Sequence, residues 1–163
     1  MTKATAIPAI LACFCLLAGT AQAGSTSATL TVNVTVVAEP CVINGDRPIV
    51  VDFGDSILTN GVDGSRYIKN VEYSLDCSNA SGDDLTMTIS GSGAGFDSTV
   101  LQANQPALGI KLLSDGNPMP LNHALNFSRN TPPVLQAVPV KDPAGTLTGG
   151  PLTASATMKV EYQ

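Results

Sequence analysis

The most regular pattern of the chain lies at its C-terminal end, where apolar and polar residues alternate without a break. One face of residues 150–163 carries the apolar side chains of Leu152, Ala154, Ala156, Met158, Val160 and Tyr162. The intervening residues are threonine, serine, lysine, glutamate and glutamine. A strict period of two predicts a β-strand with one buried and one solvated face. Because this strand ends the chain, we also expect a sheet edge that needs a partner strand from elsewhere.

A second alternating segment, residues 28–37, lies near the other end of the chain. Its apolar face consists of Leu30, Val32, Val34 and Val36, and threonine and asparagine form the opposite face. Pro40 interrupts the pattern just before Cys41, because proline has no N–H to donate to a strand ladder. The pattern predicts an arm over residues 24–38 and a separate body over residues 39–163.

The body consists of short alternating runs separated by glycine, asparagine, aspartate and proline. These runs cover residues 49–54, 71–77, 85–90, 108–112 and 134–140. Pro139 restricts the last of them to a sheet edge or a bulge. Long helical patterns are absent, there is no tryptophan, and aromatic residues make up only 4% of the chain, so the core must be aliphatic. The pattern predicts an all-β sandwich.

The first 23 residues are typical of a secretory signal peptide. Lys3 supplies a positive start, residues 7–18 an apolar core, and residues 21–23 (AQA) a small-residue cleavage site. The apolar run is too short to cross a bilayer as a helix. We therefore expect export, with residues 1–23 removed.

Cys13 and Cys15 lie within this segment and allow a rival interpretation, a lipid-anchored cysteine at the processing site. Leu11 stands where such a site would have a small residue, which favours simple cleavage. Loss of Lys3 changes the net charge from −5 to −6, since all thirteen acidic residues follow the signal. An acidic chain is not expected to bind nucleic acid or an anionic membrane surface.

Two cysteines remain in the exported chain, Cys41 and Cys77. An even pair in an oxidising compartment predicts a disulfide bond. A metal site or a reactive thiol is the alternative, but the chain has one histidine and neither cysteine belongs to a C-x-x-C motif.

Candidate catalytic residues are few. His123 stands alone in a stretch rich in proline and asparagine, where a surface loop residue is expected. Asp83 and Asp84 lack the spacing of a calcium loop. The glycine-rich residues 91–95 are followed by neither a Lys-Ser/Thr pair nor a helix, as a phosphate loop requires. The sequence therefore predicts no enzyme, no cofactor and no metal.

Several short segments occur in a recognisable order. Residues 39–43 (EPCVI) follow the arm, residues 51–55 read VDFGD, and a second cysteine ends residues 73–77 (YSLDC). Gly150 is fourteenth from the end and Tyr162 is the penultimate residue. In this order the chain resembles the pilin subunits of chaperone–usher fimbriae of Gram-negative bacteria, and most of all the minor or tip subunits of type 1 and P pili.

This resemblance implies an incomplete immunoglobulin-like β-sandwich that lacks its last strand and carries an N-terminal donor-strand extension. A periplasmic chaperone would lend a strand first, and the arm of a neighbouring pilin subunit would replace it at the outer-membrane usher. The donor residues would be Leu30, Val32, Val34 and Val36. The acceptor groove and chaperone contact would comprise Gly150, Leu152, Ala154, Ala156, Met158, Val160 and Tyr162. The expected destination is a fimbrium on the cell surface, reached through the periplasm.

One position departs from the family pattern. Arms of this kind often carry glycine at the position that aligns with Val34. The identity of the neighbouring subunit that accepts this arm therefore stays open. The expected function is a minor or adaptor subunit that supports bacterial adhesion. The alternative is a self-complemented secreted immunoglobulin-like module that binds a glycan or a protein, with residues 28–37 folded back into its own groove.

Overall fold

The structure is a computed structural model, and it describes residues 41–163. The signal peptide predicted at residues 1–23 and the arm predicted at residues 24–38 lie outside the described residues. The four predicted donor residues of the arm, Leu30, Val32, Val34 and Val36, therefore lie outside them too.

Eleven strands and two short 3-10 turns make up residues 41–163, and no α-helix occurs among them. The strands are β1 Val42–Ile43, β2 Lys69–Asn70, β3 Leu75–Asp76, β4 Asp84–Ser90, β5 Gly93–Ala94, β6 Asp97–Gln102, β7 Leu108–Ser114, β8 Asn117–Met119, β9 Ala124–Ser128, β10 Leu135–Lys141 and β11 Thr157–Tyr162. The 3-10 turns are Asn44–Asp46 and Thr59–Gly61. In this part of the chain no helix has the length and apolar character needed to cross a membrane.

The strands form two main antiparallel sheets and a two-stranded ribbon. In the larger sheet the order is β2-β10-β7-β6-β5, and β8 pairs with β7. In the second sheet the order is β11-β4-β9, with Thr157 opposite Ser90 and Tyr162 opposite Leu85. The ribbon pairs β1 with β3. Short antiparallel strands in two sheets confirm the predicted all-β class.

The core lies between the two main sheets and is built by the alternation of β4. Leu85, Met87 and Ile89 are buried, and the threonines between them are partly exposed. The three side chains pack in one cluster with apolar residues of β7 and β10, namely Ile110, Leu112, Leu135 and Ala137. Residues two apart on a strand point to the same side, so the sequence pattern of β4 was sufficient to predict its buried face.

The predicted disulfide bond between Cys41 and Cys77 is confirmed. Val42 lies opposite Asp76 in the ribbon, which makes the two cysteines the next pair along it. Their Cα atoms are 4.1 Å apart. The bond therefore joins the residue before β1 to the residue after β3.

Residues 49–54 do not form the predicted strand. Val51 and Phe53 pack against the core, whereas Asp52 between them is exposed and Val50 before them is 80% exposed, so the alternation of faces is present. However, no main-chain hydrogen bond joins residues 49–54 to another described segment. The prediction was wrong because a ladder needs a neighbouring strand, which a periodic pattern does not reveal.

Pro139 occupies a position in β10 where its missing N–H does no harm. β2 pairs with β10 only at Gln136 and Ala137, and beyond this point the Pro139 carbonyl accepts the N–H of Gly64 at 3.2 Å. The nitrogen and carbonyl of one strand residue point to the same side. The proline nitrogen therefore faces the Gly64 loop rather than β7, which gives β10 the local edge character expected for it.

Candidate functional site

An apolar groove of about 1140 Å³ opens between residues 46–53 and residues 152–162. Apolar side chains from both main sheets line it between these two walls, namely Ile89, Leu101, Ile110, Leu112 and Ala137. All of these residues belong to the buried core cluster. The groove is therefore a place where the hydrophobic core itself reaches the surface.

One wall of the groove is the strand β11. It pairs with β4 on one side, and no described strand pairs with its other side. The Gln163 N–H donates to the Asp84 carbonyl at 3.3 Å. Because hydrogen-bonding direction alternates along an antiparallel strand, the backbone groups of Met158, Val160 and Tyr162 point away from β4. They form a row of donors and acceptors along the groove.

The structure brings most of the predicted acceptor residues together. The following six all line the groove: Leu152, Ala154, Ala156, Met158, Val160 and Tyr162. Val160 is buried, Leu152, Met158 and Tyr162 are half-buried, and the two alanines are exposed. Gly150 is not among the lining residues, and its φ of 151° is a value that favours glycine.

The terminal strand is shorter than the alternation predicts. β11 begins at Thr157, and before it only Ala154 forms a bridge, to Ala103. The reason is the length of its partner, because β4 ends at Ser90, opposite Thr157. The chain before Thr157 has left the β11–β4 ladder and lies beside the end of β6.

Tyr162 anchors the far end of this wall through its hydroxyl group. The hydroxyl oxygen accepts the N–H of Ser81 at 3.1 Å, and hydrogen bonds from Ser81 lower the pKa of Tyr162. Arg129 holds the same loop, with its Nε 2.6 Å from Asp83 and its Nη1 donating to the Ala80 carbonyl at 3.2 Å. No pattern in the sequence indicated these contacts, because Arg129 and Tyr162 reach the loop from distant parts of the chain.

The charged side chains along the groove are at its margin. On β11, the Lys159 ammonium lies 2.7 Å from the Glu161 carboxylate, and both side chains are more than half exposed. Asp46 and Arg47 belong to the opposite wall. An apolar floor between polar margins suits an extended segment with one apolar and one polar face.

The side chains of His123 and Asp83, considered above for catalysis, make contacts outside the groove. The His123 Nδ1 lies 2.9 Å from the Leu121 carbonyl oxygen, and Asp83 pairs with Arg129. Within residues 41–163, no three side chains of metal-binding types lie close enough to hold an ion.

The body consists of two antiparallel sheets, and its core is open along one edge. This arrangement defines a class of immunoglobulin-like subunit with an incomplete sheet. The model of the family described as "Fimbrial protein" matches residues 28–163, so the chain belongs to the fimbrial protein family. The resemblance found in the sequence is confirmed. The chain is a fimbrial subunit, a component of surface pili, and not an enzyme.

Relatives in Escherichia coli support this assignment. The fimbrial-like protein YfcR of strain K12 is 37% identical over 149 residues, which cover 88% of this chain and 85% of that protein. The fimbrial adapter PapF is 29% identical over 140 residues, 78% of this chain and 83% of PapF. A solved structure of PapF, described as the P pilus adaptor subunit, superposes with a TM-score of 0.57 at 30% identity, covering 79% of this chain and 100% of that one.

Proposed function

We propose that this chain is an adaptor subunit of a chaperone–usher fimbria and that it polymerises by donor-strand exchange. The groove accepts a strand from a neighbouring subunit, and residues 28–37 enter the groove of another subunit. The observation that carries this proposal is the edge of β11 that pairs with no described strand and lies beside an apolar floor. The adaptor role is supported by the similarity to PapF, whose name describes it as a fimbrial adapter.

An open groove of this kind is unfavourable in water for two reasons. Core side chains remain in contact with solvent, and the edge of β11 presents N–H and C=O groups that no strand of residues 41–163 pairs with. A donor arm with four aliphatic residues would contribute roughly 6–12 kcal/mol by apolar burial before the cost of ordering the arm. Main-chain hydrogen bonds to Met158, Val160 and Tyr162 would add to this.

The arm has the spacing that the groove requires. Leu30, Val32, Val34 and Val36 recur every second residue, like the inward-facing residues of β11. Two strands that pair in one sheet share this period. The threonine and asparagine side chains of the arm carry no charge, which is compatible with a margin where Lys159 and Glu161 already neutralise each other.

The same exposed surface explains the need for further partners. A subunit with an open core would aggregate during export unless a periplasmic chaperone covered the groove. We propose that the chaperone contacts Leu152, Ala154, Ala156, Met158, Val160 and Tyr162, with Gly150 at the start of this segment. An outer-membrane usher would then exchange the chaperone for the arm of the next subunit.

A second candidate function is a self-complemented binding module. It is favoured by one observation: Cys41, which directly follows the arm and Pro40, itself lines the groove. The described chain therefore begins, three residues after the predicted end of the arm, at the site that the arm would have to fill. In that case residues 28–37 would complete the sheet of their own chain, and the finished sandwich would bind a glycan or a protein.

The two candidates can be separated with the exported chain, residues 24–163, and a variant that lacks residues 24–37. The probe is a synthetic peptide of residues 24–38, and the control peptide carries aspartate in place of Val32 and Val34. Strand acceptance predicts that the probe raises the Tm of both proteins and that the control peptide does not.

Self-complementation predicts a different result. The chain of residues 24–163 would be a stable monomer whose Tm the probe does not change. The shortened variant would be unstable, and the probe would raise its Tm. If neither protein responds to the probe, strand acceptance by this groove is contradicted.

A further inference from the structure

Two side-chain amides hold the segment that leads into the groove wall. The Asn104 amide donates to the Pro151 carbonyl at 2.7 Å, and its carbonyl oxygen accepts the Thr153 N–H at 3.1 Å. Gln105 does the same at Thr148, donating to the carbonyl at 3.0 Å and accepting the N–H at 3.1 Å. Each amide offers the main chain one donor and one acceptor, as a neighbouring strand would. We call Asn104 and Gln105 the amide clamp.

The clamp is itself rigidly placed. The side-chain amide of Gln102 donates to the carbonyls of Ala103, Gln105 and Leu108 at 2.8, 2.9 and 3.3 Å. The Leu108 N–H also donates to the Gln105 carbonyl, at 3.0 Å. The side chain of Gln102 therefore satisfies the carbonyl groups inside the turn between β6 and β7. The side-chain amides of Asn104 and Gln105 point out of this turn, toward residues 148–153.

The clamp acts where the groove has no ladder of its own. Leu152 lies between the two residues that Asn104 binds, and it packs against two separate core clusters. Ala154 forms one bridge to Ala103. Ser155 and Ala156 lie outside every strand of residues 41–163. The packing of Leu152, the Ala154 bridge with its bond from the Asn104 N–H to the Thr153 carbonyl, and the amide clamp together position this end of the groove.

We propose that Asn104 and Gln105 are positioning residues that hold residues 152–156 in a strand-accepting geometry before a donor strand arrives. This inference rests on the proposed function of the groove. A segment that is already ordered does not lose that conformational entropy again on binding, so a preformed groove end accelerates association and strengthens the complex. Without the clamp, the donor would have to order residues 148–156 while it inserts.

The test substitutes Asn104→Asp in the exported chain. Aspartate keeps the size of the side chain but replaces the amide donor by a carboxylate that faces the Pro151 carbonyl. The matched control is Asn117→Asp in β8, which also removes an amide-to-carbonyl hydrogen bond, to Asp115 at 3.3 Å, and lies outside the groove. Gln105→Glu tests the second amide separately.

Two readouts distinguish positioning from general stability. Hydrogen exchange of the unbound chain should accelerate at the Thr153 amide in Asn104→Asp and at the Thr148 amide in Gln105→Glu, and stay unchanged in β4 and β11 in both variants. Stopped-flow association of a labelled peptide of residues 24–38 should slow about tenfold, as expected for one lost hydrogen bond next to a repelling carboxylate. The Asn117→Asp chain should associate at the rate of the unsubstituted chain.

Three outcomes would overturn the inference. Accelerated exchange at Thr153 with an unchanged association rate would show that the clamp does not affect donor insertion. Accelerated exchange throughout β11 would assign Asn104 a general stabilising role instead. If the unsubstituted chain does not bind the peptide at all, the proposed function fails and the inference fails with it.

Discussion

The substitution Met158→Asp tests which face of β11 receives a donor strand. Met158 lies opposite Ile89 in the ladder, and its half-buried side chain packs against the core at the open groove. A bound donor would cover it completely. Lys159 cannot neutralise the new carboxylate, because its side chain is on the opposite face and already pairs with Glu161 at 2.7 Å.

The expected loss has two parts. Removing the apolar side chain forfeits up to about 1.5–3 kcal/mol of burial in the complex. Covering an unpaired carboxylate with apolar groups costs several kcal/mol more. A combined loss of about 4 kcal/mol or more corresponds to roughly a thousandfold weaker donor affinity. Part of Met158 is exposed in the empty groove, so the Tm of the unbound chain should fall much less.

The control is Thr157→Asp, which places the same charge one residue away on the exposed face of β11. Surface substitutions of this kind change free energies by about 0.5 kcal/mol or less, so affinity should stay within about threefold. The assay titrates the labelled peptide of residues 24–38 into each variant and records Tm in parallel. Equal losses of affinity in Met158→Asp and Thr157→Asp would refute the assignment of faces.

Three further predictions concern the body and the arm. Free-thiol labelling of the unfolded, non-reduced exported chain should find no reactive Cys41 or Cys77, and a Cys77→Ser variant should accumulate poorly in the periplasm; two labelled thiols would contradict this. Burial, and after it the nearby Asp115, raise the pKa of Tyr73 to about 12. The contribution of Tyr73 to the free energy of unfolding is therefore complete below its unfolded pKa of 10.0, and it should be lost as the pH rises toward 12. Urea unfolding across this range should show the loss in the native chain and not in Tyr73→Phe, and an equal loss in both would refute it. Deleting residues 24–37 should leave chaperone co-purification intact and abolish incorporation into fibres, whereas loss of chaperone binding would favour the self-complemented module.

The sequence by itself determined which face of each alternating segment is apolar. The period of two assigned Leu85, Met87 and Ile89 to the core, and it assigned Met158 and Val160 to the face of β11 that packs against the core. This succeeds because successive side chains of an extended chain point to opposite sides whatever the partner strand is. The disulfide between Cys41 and Cys77 followed in a similar way, because the pairing of two cysteines in a chain expected to be exported is chemistry that does not depend on the fold.

Only the tertiary structure decided where these segments pair. β11 begins at Thr157 because β4 ends opposite it at Ser90, and residues 49–53 stay unpaired because no described strand runs beside them. The amide clamp joins residues 43 to 49 positions apart in the chain. Asparagine and glutamine carry no periodic signal, and their partners are backbone groups common to every residue. Which carbonyl an amide meets is therefore fixed by the path of the folded chain, and the pattern of side chains does not encode it.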